Sequence, residues 1–187
     1  MILGSISEDK NQESRVALTP EIIKKYISLG LEVNLIKNYA THMGISDELY
    51  KAEGAKFFTS EDEVLSNSNV VAQMSILNDE NLKKLKKEQI LIGVLNPYLN
   101  EKKLKGVTSN GVNCFSLELL PRITRAQSMD ILSSQANLAG YKAVIDSFAI
   151  FQKAIPMMMT AAGTISAAKI LVVGAGVAGL QAIATAK

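Results

Sequence analysis

Between Arg122 and Ser133, twelve residues carry two guanidinium groups (Arg122, Arg125), a carboxamide (Gln127), a carboxylate (Asp130) and a hydroxyl (Ser133). From Leu138 onward the apolar positions Leu138, Tyr141, Ile145 and Phe148 step by three and four, which is helical spacing. A polar loop that begins after Pro121 therefore runs into a helix N-terminus, with Ser128 or Asp130 as its cap. Free backbone N–H groups, two guanidinium forks and a carboxylate able to hold one of them suit a ligand with both an amide and phosphates. The same pattern also fits a capped interdomain helix with a surface ion pair.

A second cluster is made of glycine. Ile170–Val173 reads as a buried parallel strand, and Gly174, Gly176 and Gly179 then give the spacing Gly-x-Gly-x-x-Gly, with Ala175 and Val177 between them. Gly174 permits a tight turn, Gly176 lets backbone approach a pyrophosphate, and Gly179 allows close helix–strand contact. The helix that follows turns its positive end toward the phosphates. With a strand before it and a helix after it, the pattern points to a dinucleotide-binding turn; the alternative is a tight strand–helix packing turn. The acidic residue that holds the ribose hydroxyls, about 20 positions further on, falls at or beyond Lys187. The chain is expected to hold only the beginning of this domain, so NAD and NADP cannot be told apart from it.

The elements that position these groups alternate. Ile2–Ile6, Leu31–Ile36, Lys56–Thr59, Val70–Met74, Ile90–Leu95 and Val112–Leu117 read as strands. Helices are expected near Pro20–Leu29, Asp47–Ala52, Asn81–Lys87 and Glu101–Lys105. The first of these is bracketed by Thr19 as N-cap, Pro20 at the first turn and Gly30 past the end. Strands and helices at this spacing predict βαβ units and a parallel sheet. The fold class is therefore α/β. A doubly wound, Rossmann- or flavodoxin-like first domain spans residues 1–130, an interdomain helix 131–153, and the start of a Rossmann dinucleotide-binding domain 154–187. The adjacent Met157, Met158 and Met159 are expected to fill a core or a seam.

Composition excludes several classes. At 187 residues and 48% hydrophobic content the chain can bury one full core and begin a second. The net charge of +2 comes from 20 basic and 18 acidic residues, and with no concentrated basic face a nucleic-acid partner is not expected. The run Asn81–Glu88 is the wet side of an amphipathic helix whose Leu82 and Leu85 face inward. Cys114 is the one cysteine, which excludes an internal disulfide, and it reads as a buried inert thiol. No metal site is read, and no signal peptide opens the chain. Ile170–Ala186 runs seventeen residues without a charge but is too short and too glycine-rich for a membrane span.

Four segments carry a resemblance that covers the whole chain. Arg15-Val-Ala-Leu-Thr-Pro, the run from Pro121-Arg-Ile-Thr-Arg-Ala-Gln-Ser-Met-Asp to Tyr141, Met157-Met-Met-Thr-Ala-Ala-Gly-Thr and Gly174-Ala-Gly-Val-Ala-Gly-Leu-Gln-Ala resemble the proton-translocating NAD(P) transhydrogenases. The match is to the soluble NAD(H)-binding domain I of the alpha subunit. The resemblance implies a homodimer of two-domain protomers with NAD(H) in the cleft between domains. It also implies hydride transfer to NADP(H) on a separate domain, coupled to proton movement through a membrane domain. Such a component is soluble and lies at the cytoplasmic or organelle-matrix face of a membrane. By the same resemblance Arg122 contacts the nicotinamide end and is steadied by Asp130, and Ile123 joins the cofactor-contacting set. Gln127 lies beside the ring, Ser133 hydrogen-bonds the carboxamide region, and Ala175, Gly176 and Val177 line the pyrophosphate. The catalytic set is then Gln127, Arg122 and Asp130. Hydride transfer between two nicotinamides needs no general acid or base, only alignment in a dry site.

The rival is an alanine dehydrogenase, whose family pattern adds a lysine and a histidine for proton transfer. The lysine would fall at the end of the strand Val70–Met74, where this chain has Gln73; the histidine would fall near Leu95-Asn96-Pro97, where there is none. Arg15 is shared by both enzymes and does not discriminate. His42, the one histidine, sits in the turn Ala40–Gly44 with no carboxylate to orient it. Without an acid/base pair, amino-acid oxidation is disfavoured. A module that only binds a nucleotide is the non-enzymatic reading, and the chain alone is expected to show no transhydrogenation.

Overall fold

The computed structural model describes all 187 residues, which divide into two compact units, Met1–Leu120 and Pro121–Lys187. In the first unit, six strands pair in parallel: β1 (Ile2–Ser5), β2 (Glu32–Ile36), β3 (Lys56–Phe58), β4 (Val70–Ser75), β5 (Ile90–Val94) and β6 (Asn113–Ser116). Their spatial order is β3-β2-β1-β4-β5-β6, the order of a doubly wound dinucleotide-binding sheet. The central strands read as apolar runs because helices cover both faces. Leu3, Val33, Leu35, Val71 and Leu91 are all buried.

The connecting helices are α1 (Pro20–Ser28), α2 (Asp47–Ala52), α3 (Glu61–Ser66), α4 (Asp79–Lys84) and α5 (Glu101–Ser109). Proline opens α1, and Gly30 (φ 81°) supplies the left-handed residue beyond its end. Thr19 sits at the N-cap, but its side chain makes no capping bond. The apolar pattern does not predict α3, although Ser60 caps it by accepting from the Asp62 N–H and three acids fill its first turn. In α4, Leu82 is buried while its lysines face outward; Leu85, also buried, is the extended residue that ends the helix. Cys114 is half-buried, and desolvation pushes its thiol pKa up.

Under β1 lies a buried polar knot. The Ser5 hydroxyl is 2.8 Å from the Tyr39 hydroxyl, 2.7 Å from the Ala72 carbonyl and 2.9 Å from Gln73 Oε1. Tyr39 also accepts the Leu18 N–H at 3.2 Å, and Tyr50 donates to the Leu18 carbonyl at 3.0 Å. Burial raises the Tyr39 pKa from 10.0 to about 12. A phenol with a raised folded-state pKa contributes stability that is complete below its unfolded value and is lost as pH rises through the folded one. Stability should therefore fall between pH 10 and about pH 12 by up to roughly 2–3 kcal/mol from this group. Tyr39→Phe should flatten that limb in urea unfolding followed across alkaline pH.

The second unit contains α6 (Ile131–Ile150), the hairpin β7 (Met158–Thr160) and β8 (Gly163–Ile165), and α7 (Val177–Ala186). Helices α6 and α7 pack at Gly140, where a Cβ would overlap the carbonyl of Ala178. Two expectations fail here. Met157, Met158 and Met159 do not fill a core: they are 65%, 47% and 82% exposed, because no layer of this chain covers the hairpin. Ile170–Val173 is not a paired strand. Leu171 and Val173 are 87% and 92% exposed, since a parallel strand needs neighbours and this unit offers it none.

Candidate functional site

Pro121 breaks the chain out of the first unit, and Thr124–Met129 winds as a short 3₁₀ helix that leads into α6. Ile123 and Ala126 are three apart, and the Ala126 N–H bonds the Ile123 carbonyl at 2.9 Å. This turn buries Ala126 while Arg122 and Gln127 remain exposed. Asp130 then caps α6: it accepts the Ser133 N–H at 2.9 Å and the Ser133 hydroxyl at 2.7 Å. Those two bonds are the main reasons its pKa lies below the usual carboxylate value. Of the two proposed caps, Asp130 is the one used.

Arg122, Ile123, Ala126, Gln127, Asp130 and Ser133 line one cavity of about 290 Å³. All five residues singled out in this segment as cofactor contacts thus meet around one space. Ala126 is the member that sequence reasoning missed; its spacing from Ile123 was the available signal. The link expected between Arg122 and Asp130 takes a different form. Arg122 lies close enough to lower the Asp130 pKa, but only as a lesser cause, and no ion pair forms between them. The reason is local: the first turn of α6 offers the carboxylate an N–H and a hydroxyl in fixed positions, whereas an exposed arginine pairs at a cost in side-chain freedom.

The glycine turn stands apart from that cavity lining, and its three glycines differ in backbone conformation and in what a side chain there would meet. Gly174 has φ 104°, so the turn itself needs glycine. At Gly179 a Cβ would overlap the Gly174 carbonyl oxygen, so α7 presses against the turn that launches it. Around Gly176, the N-cap of α7, a Cβ would meet nothing. Beside the Ala175 and Val177 backbone, that leaves open space in front of a helix N-terminus. Such a cradle admits a phosphate group and would be filled by a larger residue.

In the first unit, the positions where a proton-transferring pair would sit hold none. Gln73 is buried with its amide fully engaged: Oε1 accepts the Ser5 hydroxyl and the Ile6 N–H, each at 2.9 Å, and Nε2 faces the Ile6 carbonyl (3.3 Å) and Glu8 Oε1 (3.2 Å). Asn96 stands at the end of β5 with φ 47°. His42 is exposed in its own short 3₁₀ turn, with Nε2 2.8 Å from the Ser14 carbonyl. Arg15 pairs with Glu13 through two nitrogens, Nε at 2.8 Å and Nη2 at 2.6 Å.

Comparison with known proteins adds the lineage. Residues 4–139 match the family model "Alanine dehydrogenase/PNT, N-terminal domain", and residues 143–187 match its C-terminal counterpart. The chain is 44% identical over 191 residues to a Rickettsia prowazekii protein, the first portion of an NAD(P) transhydrogenase subunit alpha, covering 100% of this chain and 50% of that protein. It is also 44% identical to the protein of the same name from Rhodospirillum rubrum, covering 96% of this chain and 48% of the relative. The crystal structure of transhydrogenase from Sinorhizobium meliloti superposes with a TM-score of 0.94 at 44% identity, across 100% of this chain and 55% of that one. The chain thus spans about half the length of the curated relatives it matches. No helix in it is long and apolar enough to cross a membrane. With both of its matched segments adjoining and the parallel sheet in place, the chain belongs to the alanine dehydrogenase/PNT family.

Proposed function

We propose that this chain is the NAD(H)-binding component of a proton-translocating NAD(P) transhydrogenase. In this reading hydride passes between NAD(H) held here and NADP(H) held on a separate partner domain. A membrane domain couples that transfer to proton movement, and the component works as a homodimer at the cytoplasmic or organelle-matrix face. The observation that carries it is the cavity that gathers Arg122, Ile123, Gln127, Asp130 and Ser133. It offers a cation, carboxamide and hydroxyl groups and a carboxylate, with no histidine among its lining residues.

The nicotinamide supplies the hydride, so NADH is oxidised as NADP⁺ is reduced and no protein group need change protonation. The residues orient and anchor. Arg122 and Gln127 stay exposed and free to meet the ring's carboxamide and the approaching partner domain. The Asp130–Ser133 pair stiffens the first turn of α6 and presents Ser133 beside them. The open backbone at Ala175, Gly176 and Val177 accommodates the pyrophosphate, with Gly174 and Gly179 shaping the turn.

The fully engaged amide of Gln73 supports this reading over an amino-acid dehydrogenase, because it has no proton to exchange with substrate. The test places these residues in a polypeptide of the relatives' full length. With the NADP(H)-binding domain added, that polypeptide should reduce an NADP⁺ analogue from NADH; L-alanine turnover instead would overturn the assignment. Arg122→Ala should weaken NADH binding about 10-fold or more, the scale of a lost hydrogen bond to a charged group. It should leave the unfolding midpoint unchanged, since the side chain is exposed. An equal loss of stability would make Arg122 a structural residue.

A further inference from the structure

Two exposed features of the first unit adjoin at the N-terminal end of α5, one apolar and one cationic. The apolar one is a turn. After β5, Asn96 takes φ 47°, and its carbonyl accepts the Leu99 and Asn100 N–H groups, each at 2.9 Å. The Asn96 N–H donates to Glu118 Oε1 at 2.5 Å, and Asn100 Nδ2 donates to the Leu95 carbonyl at 2.9 Å. These bonds fix a turn whose tip is Tyr98 and Leu99, 86% and 87% exposed. The tip adds nothing to the core, which takes Leu95 instead. A tyrosine and a leucine held on an ordered turn lose little further freedom when something covers them.

The cationic feature is a groove of about 360 Å³ between α4 and α5, lined by Lys83 from one helix and by Lys102 and Lys103 from the other. Leu82 and Val107 are buried, while the lysines stay in water. Lys103 pairs with Asp79 at 2.9 Å, whereas Lys83 and Lys102 join none of the chain's ion pairs. Residues 79–105 hold seven lysines against four acids, a surplus larger than the whole chain's net charge of +2. Two of those acids, Asp79 and Glu101, are already paired with Lys103 and Lys105. Tyr98 and Lys102 are four residues apart, at most about 14 Å of chain, so one surface can meet both features.

We propose that the Tyr98–Leu99 turn and the free lysines beside it dock this chain directly on a membrane surface bearing anionic phospholipid headgroups. The proposal rests on the transhydrogenase reading, which sets this component against a membrane face whose leaflet carries negative charge. The amphipathic tyrosine and the leucine enter the headgroup layer, and the ammonium groups of Lys83 and Lys102 meet lipid phosphates. Stable attachment at an interface takes an apolar anchor and a basic patch together, and this end of α5 supplies both. An acidic protein surface would satisfy the lysines. Two large side chains on the tip of a turn better suit a deformable layer, which needs no pocket to receive them.

Flotation with lipid vesicles tests this on the chain itself. At about 0.1 M salt, where charges are screened beyond about 10 Å, it should float with vesicles of phosphatidylcholine and phosphatidylglycerol in equal parts. It should stay behind with phosphatidylcholine alone. Lys83→Gln with Lys102→Gln should weaken partition by about 30-fold, about 5-fold for each lysine near the surface. Tyr98→Ser with Leu99→Ser should weaken it by about 10-fold, the lower end of what burying one such side chain contributes. Lys24→Gln with Lys25→Gln removes the same charge from α1, which right-handed crossovers place on the opposite face of the sheet, and should change partition by less than about 2-fold. All three double variants should keep the parent's unfolding midpoint, because every altered side chain is exposed. Equal flotation with neutral vesicles, or an equal loss from the α1 variant, would overturn the proposal in favour of nonspecific adsorption. Absence of flotation would overturn it in favour of an acidic protein partner. Flotation needs neither nucleotide nor partner domain, so its failure leaves the hydride-exchange test of the proposed function standing.

Discussion

Gly179→Ala is expected to lower the stability of this chain by about 2 kcal/mol, and Gly176→Ala, three residues earlier in the same turn, to change it by less than about 0.5 kcal/mol. The difference follows from what a methyl group would meet. At Gly179 it would overlap the Gly174 carbonyl oxygen, which is backbone in a turn already at φ 104° and cannot step aside cheaply. Replacing glycine within α7 returns about 1 kcal/mol of helix propensity, while forcing overlap with a fixed backbone atom costs about 3 kcal/mol, the upper part of the overpacking range. Overlap wins. At Gly176 the backbone is in the ordinary extended region (φ −74°) and the surrounding space is open. Urea unfolding followed by circular dichroism separates the two variants. NADH titration then separates scaffold from site: Gly176→Ala should lose nucleotide affinity despite its unchanged stability, because its methyl occupies the space a pyrophosphate needs. A Gly176→Ala chain that binds NADH as the parent does would remove the turn from the proposed cofactor site.

The same glycines show how much was legible in the sequence. Local rules predicted the tight turn at Gly174 and the close approach at Gly179, because both effects are confined to a few consecutive residues. The six strands of the first unit were legible for a related reason. Their apolar runs are brief, down to the two phenylalanines of β3, but they recur at a spacing that leaves room for helices between. Helix α3 was missed because only Val64 and Leu65 are buried in six residues, too few to show a period; its signal lay in Ser60 and the acids after it. The expectations for Met157–Met159 and Ile170–Val173 failed for a different reason. Their side chains are apolar enough for an interior, but burial is decided by what packs against a segment, and composition does not say whether this chain provides it. The cavity at Arg122–Ser133 was legible as a cluster of groups, yet the choice of Asp130's partner was not. Any carboxylate eight residues after an arginine invites an ion pair on paper. Only the backbone of the first turn of α6 shows that Ser133 offers Asp130 the better-fixed donors.

Gln127→Asn is expected to slow hydride exchange by about 100-fold in the full-length component with its NADP(H) partner, while changing the Kd for NADH by no more than about 2-fold. Gln127 sits on the exposed side of the 3₁₀ turn and lines the same cavity as Arg122 and Ser133. Shortening it by one methylene keeps the carboxamide's donors and acceptor but withdraws them by roughly the length of one carbon–carbon bond. Anchorage of the nucleotide rests on other contacts in the proposed site, the glycine turn and Arg122, so affinity should hold. Hydride transfer depends on ring separation more steeply than any binding term does, because a misplacement of about 1 Å can cost about two orders of magnitude. The readout is therefore a split: kcat falls while the NADH KM and the unfolding midpoint do not follow. A parallel fall in affinity would place Gln127 among the anchoring groups, and a parallel fall in stability would make it part of the turn's framework. Either result would leave ring placement to Arg122 and to whatever surface the partner domain brings.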